Sequence, residues 1–86
     1  MVNLSLEDAK LINTLATVDS TVLQKNMSKD IRDRLDCLGP ILCEYYRENT
    51  MGTKTGITQK FEAYGISEDC GKAAIACARR LGIEIF

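Results

Sequence analysis

Twice in the last third of the chain a short run of helix-favouring residues ends in Gly-Ile: Phe61-Glu62-Ala63-Tyr64-Gly65-Ile66 and Ala78-Arg79-Arg80-Leu81-Gly82-Ile83. Glycine takes the left-handed conformation that closes a helix at little cost, and an isoleucine directly after it can fold back onto the last turn. This double punctuation constrains the chain to short helices packed across tight turns, with Ile66 expected on Phe61. Ser67 then supplies a cap for a new helix, and Glu68 and Asp69 fall in its first turn, where carboxylates favour the amino end of the helix dipole.

The same signals recur upstream. Ser5-Leu6-Glu7-Asp8 forms a short-armed version of the capping box, opening a helix over Leu6 to Thr17. Ala9, Ile12 and Ala16 make one stripe of it and Leu11, Leu15 and Val18 a second, so one broad side faces a core. Asp19, Ser20 and Thr21 interrupt, and Val22, Leu23 and Met27 form a short second helix. Ser28 is the next cap. From there Ile31, Leu35, Leu38, Leu42 and Tyr45 recur at alternating spacings of four and three, and the phase carries across Gly39-Pro40. Two unrelated helices have no reason to share a phase. The pattern therefore predicts one bent helix over Lys29 to Glu48, in which Pro40 leaves the Asp36 carbonyl without its donor; a two-helix break at Gly39 is the alternative.

Residues 49 to 56 are small, polar and aperiodic, hence a loop, with Thr55 expected to cap the helix that follows. Ile57, Phe61 and Tyr64 share a face of a helix over Ile57 to Tyr64. Cys70, Ala74, Cys77 and Leu81 line the last helix, over Glu68 to Leu81. The tail Ile83-Glu84-Ile85-Phe86 is apolar with one charge and suits a short strand or plug. The expected architecture is all-α: a compact bundle of about five short helices with one kinked longer helix, residues 1–86 forming a single domain. A chain of 86 residues buries only about 60% of the surface that it exposes when unfolded, so one core is all it can hold.

The function classes narrow by what the residues lack. The sequence contains no histidine, which removes the commonest general base and zinc ligand. Glu44 and Glu48 lie one turn apart, yet with Arg47 between them they read as a solvated helix face and not as an acid/base pair. The four cysteines, at 37, 43, 70 and 77, have no Cys-x-x-Cys pair and read as buried reduced thiols. Gly52-Thr53-Lys54-Thr55-Gly56 lacks the upstream glycine and preceding strand of a phosphate loop. No catalytic, cofactor-binding or metal site is expected.

Eleven basic against twelve acidic residues leave no basic footprint for nucleic acid, and the helix pair over 57 to 81 puts Glu68 and Asp69 where a recognition helix meets phosphates. A small nucleic-acid-binding regulator, using Arg47, Lys54, Lys60 and Lys72 as a basic patch, is the alternative reading. The longest apolar run falls short of the ~20 residues of a membrane span, and the amino end has neither basic leader nor apolar signal core, so a cytoplasmic protein is expected. The apolar residues exceed what one small core hides, among them Leu4, Leu11, Val18, Met27 and Met51. The first expectation is therefore protein recognition, or pairing with a second copy, with Ile41, Tyr45, Ile83, Ile85 and Phe86 as anchors on the tail and the exposed side of the kinked helix.

Ile41-Leu42-Cys43-Glu44-Tyr45-Tyr46-Arg47-Glu48-Asn49-Thr50, with the following Thr53-Lys54-Thr55-Gly56-Ile57-Thr58, resembles small cytosolic accessory proteins of T-even bacteriophages, nearest in type to the cytoplasmic antiholin of lysis inhibition. The resemblance rests on size, helical character and texture across most of the chain. It implies a regulator that binds the cytosolic amino-terminal segment of a membrane holin and delays pore formation, and it assigns no residue a role.

Overall fold

The computed structural model describes residues 4–52 and 56–85, which form five helices: α1 (Leu6–Thr17), α2 (Ser20–Lys25), α3 (Lys29–Met51), α4 (Ile57–Ala63) and α5 (Glu68–Arg80). There is no strand among the described residues, and the all-α expectation holds.

Local chemistry sets most of the boundaries. At α1 the Asp8 amide donates to Ser5 Oγ (3.1 Å) while the Ser5 amide donates to Asp8 Oδ2 (3.3 Å), the reciprocal arrangement of a capping box. Asp19 opens α2 by accepting from the Thr21 amide at 2.8 Å. Ser28 and Ser67 open α3 and α5 by accepting from the Ile31 and Cys70 amides. The position of the expected Thr55 cap lies outside the described residues. Both Gly-Ile stops close as the sequence implies. With φ of 78°, Gly65 donates to the Glu62 carbonyl and Ile66 to that of Phe61; with φ of 86°, Gly82 donates to Arg79 and Ile83 to Ala78. Each pair is a Schellman closure that satisfies two carbonyls otherwise left without donors.

Helix α3 runs unbroken through Pro40, as the shared phase requires, and buries Leu35, Leu38, Leu42 and Tyr45 along one face. It continues one turn beyond the expected end at Glu48, closing at Gly52 with φ of 75°. Asn49 and Thr50 look loop-like by propensity alone. The Asn49 amide, however, donates to the Tyr45 carbonyl at 2.8 Å, so this residue is held on the helix by its own side chain.

Helices α1 and α5 form the most extensively packed pair; α1 buries Ala9, Ile12 and Leu15, and α5 buries Gly71, Ala74, Ile75, Cys77 and Ala78. The Tyr45 ring stacks on Phe61 of α4, with centroids 4.2 Å apart and planes 12° from parallel. Its far edge lies on Gly71 of α5, where an added Cβ would come within 2.5 Å of the ring. After α5 the chain runs extended across α3. Ile83 and Ile85 are buried and Glu84 is exposed, the alternation of an extended segment. Ile83 rests against Gly39, its Cγ2 3.5 Å from where a Cβ would be. Three side chains hold this segment by its carbonyls: Arg32 at Leu81 (2.6 Å), Cys43 at Glu84 (3.5 Å) and Arg79 at Ile85 (3.4 Å). The Arg32 contact also places a cation at the negative end of α5.

Two stability measurements test this packing. In an exposed helix Gly→Ala is stabilising by up to ~1 kcal/mol, but Gly71→Ala forces a methyl into the Tyr45 ring and should instead destabilise by about 1–3 kcal/mol in urea melts. A rise in stability would mean that the ring yields. Burial pushes up the pKa of both the Tyr45 hydroxyl, with nearby Glu68 adding to the effect, and the Cys77 thiol, despite the opposing Arg80. Both groups are neutral when protonated, so the folded state holds these protons more tightly than the unfolded one. Stability should be full below roughly pH 8.5, where an ordinary thiol ionises, and fall as pH rises beyond 8.5 and then 10; flat melts across that range would contradict it.

Candidate functional site

The surface expected from sequence is not presented to solvent. Ile41, Tyr45, Ile83 and Ile85 retain only 2–7% of their exposure, and Phe86 lies outside the described residues. Ile41 and Tyr45 belong to the same inward face of α3 as Leu38 and Leu42. Ile83 and Ile85 are buried where the extended segment crosses α3, Ile83 resting against Gly39. These four residues serve as core.

What remains exposed lies elsewhere. Tyr45 and Tyr46 are neighbours about 100° apart around a helix, so burying the first turns the second outward. Tyr46 keeps 36% of its surface and forms, with Asn49 and Thr50 of α3 and Lys72, Ile75, Ala76 and Arg79 of α5, an open groove of about 350 Å³. Ile75 is buried beneath it. The Arg79 guanidinium lies 4.8 Å from the Tyr46 ring centroid, a cation-π contact, and also reaches the Ile85 carbonyl. Arg79 thus ties the groove wall to the extended segment. At the far end Lys72 pairs with Glu68 at 3.5 Å. Asn49 spends its amide nitrogen on Tyr45 and Thr58, while its Oδ1 is buried without a donor. A buried carbonyl left this way carries a desolvation cost that a hydrogen-bond donor would relieve. Exposed apolar side chains also occur at Leu6, Val22 and Met51, scattered over separate elements.

Glu48 is not the solvated residue that the sequence suggests. Its Oε2 accepts from the Ile57 amide at 3.2 Å, and its Oε1 from the Thr58 amide at 3.1 Å and the Thr58 hydroxyl at 2.8 Å. Gly56, the N-cap of α4, has no side chain to offer, so a carboxylate from α3 caps α4 from outside. Both Glu48 oxygens are committed to this task, and Glu44 pairs with Arg47 at 3.4 Å.

Other candidates disperse. Cys77 is buried as expected, but Cys43 and Cys70 are only half-buried and Cys37 is exposed, because the four do not share one helix face. All four are free thiols, and no group of side chains able to hold a metal ion occurs among the described residues. Of the basic residues set aside for nucleic acid, Arg47 and Lys72 are in ion pairs, Lys60 is also engaged, and Lys54 lies outside the described residues. No helix is long and apolar enough to cross a membrane among the described residues.

The trans-acting cap makes a quantitative claim. Removing a carboxylate that accepts from two backbone amides and a hydroxyl should cost about 2 kcal/mol, so Glu48→Ala should lower the urea midpoint clearly, and Glu48→Gln less. A Glu44→Ala control should stay within ~0.5 kcal/mol of the parent, as an exposed pair does.

No protein-family profile, no curated protein and no solved structure matches this chain, so its binding partners have to be read from its own surfaces.

Proposed function

We propose that the protein is a non-catalytic regulator that acts by binding another protein, and that the groove between α3 and α5 is where it binds. The observation that carries this reading is Tyr46, an exposed aromatic ring backed by Arg79 and set above buried Ile75. Tyrosine and arginine are among the residues that most often dominate binding energy when a partner excludes water around them. A groove between two helices, with an apolar floor and polar walls, suits an amphipathic helix laid along it.

The resemblance to the T-even antiholin type makes this concrete. The partner is then the cytosolic amino-terminal segment of a holin, and occupation of that segment in the cytoplasm delays pore formation. Glu68 and Asp69, exposed at the amino end of α5, weigh against the nucleic-acid alternative, because they repel phosphates where a recognition helix must approach them.

Titration of the full chain with a fluorescent peptide of the holin segment tests the reading. Binding is expected to be accompanied by helix formation in the peptide, and Tyr46→Ala should weaken it by about 2 kcal/mol, roughly thirtyfold, without lowering thermal stability. Unchanged affinity in Tyr46→Ala would remove the groove from the account. Tight, salt-sensitive binding to random duplex DNA in place of the peptide would favour the nucleic-acid reading.

A further inference from the structure

The side of α5 turned away from the core carries an arrangement that the groove does not use. At 100° per residue, Asp69, Ala73, Ala76 and Arg80 fall within about 60° of arc, opposite the buried Gly71, Ala74, Ile75 and Ala78. All four are exposed. Their spacing of four, three and four reads the same in either direction. The two charged members have opposite sign, sit at opposite ends, and make no ion pair among the described residues. They are eleven positions apart, roughly 16 Å along the axis, so they cannot reach each other within one helix.

We infer that this face is a self-association surface, on which α5 of a second copy of this chain packs antiparallel across a two-fold axis, setting Asp69 against the partner's Arg80 and Ala73 against the partner's Ala76. A palindromic spacing with complementary ends is what a two-fold interface requires, since each residue must meet its counterpart twice. The two alanines at the crossing let the helix axes approach toward the near end of the 8–10 Å range. The pairing also covers Val18, which is 36% exposed and shares a hollow with Ala73, Ala76 and Arg80. Asp19 lines the same hollow, its Oδ1 accepting from the Thr21 amide, and it makes no ion pair with Arg80 among the described residues.

One helix of 13 residues offers a face only about 20 Å long, well below the ~800 Å² per partner of a standard stable interface, so the dimer is weak and concentration-dependent. The surface shares Ala76 alone with the Tyr46 groove, and its test is independent of peptide binding.

Sedimentation equilibrium of the full chain, from micromolar to millimolar concentration, should fit a monomer–dimer equilibrium. Asp69→Arg and Arg80→Asp each place like charges at both ends of the pair and should each weaken self-association by more than roughly tenfold. Mixed in equal amounts, the two single variants should form a heterodimer, and the double variant carrying both changes should recover self-association, because complementarity is restored in each case. Circular dichroism melts identify any variant that has unfolded, and the pairing is then read from the remaining ones together with Ala73→Glu, which blocks the crossing. A chain that stays monomeric throughout overturns the inference, as does a dimer that tolerates both single reversals or a mixture that fails to pair.

Discussion

The Tyr45 ring is the contact on which the rest of the structure depends, because it is shared by three helices. It projects from α3, stacks on Phe61 of α4 and lies edge-on against Gly71 of α5, where no Cβ could fit. Aromatic stacking of this kind is worth about 0.5–1.5 kcal/mol beyond the area buried, and here one ring also fixes how near α5 comes to α3. That approach brings Tyr46 and Arg79 within reach of each other, and so creates the groove. The same ring position sends α5's opposite side outward, leaving Asp69, Ala73, Ala76 and Arg80 bare.

Features governed by neighbouring residues were legible in the sequence. Ser5, Ser28 and Ser67 cap the helices that they precede, because an N-cap needs only a hydroxyl and the amides within one turn of it. The Gly-Ile closures need only a glycine with a positive φ and the turn before it. The continuity of α3 through Pro40 was legible for a different reason: losing one backbone bond costs less than breaking a face that buries Leu35, Leu38, Leu42 and Tyr45.

Features fixed by distant residues were not legible. Glu48 resembles any exposed glutamate until α4 folds back to present the Ile57 and Thr58 amides. The four-three spacing puts Tyr45 on the apolar face of α3, but how its ring seats against α5 depends on Gly71, 26 residues away, where a Cβ would collide with it. Ile83 and Ile85 have the composition of an exposed anchor as much as of a plug; Arg32 and Cys43 of α3, far away in sequence, hold the segment as a plug by the carbonyls of Leu81 and Glu84. The residues that the sequence offers as anchors are thus core, and Tyr46 is the ring left facing solvent.

The cap that Glu48 gives to α4 has a consequence for how the molecule opens. Helix α4 has seven residues and is too short to persist alone. Its first amides are satisfied by a residue one turn from the carboxyl end of α3, so fraying of that last turn uncaps the start of α4, while the Tyr45–Phe61 stack still holds its second turn. Amide hydrogen exchange at the start of α4 and along the end of α3 should then follow a common opening free energy, making this corner one cooperative unit distinct from the α1–α5 pair. The Glu48 carboxylate is thus a latch between the end of α3 and the start of α4.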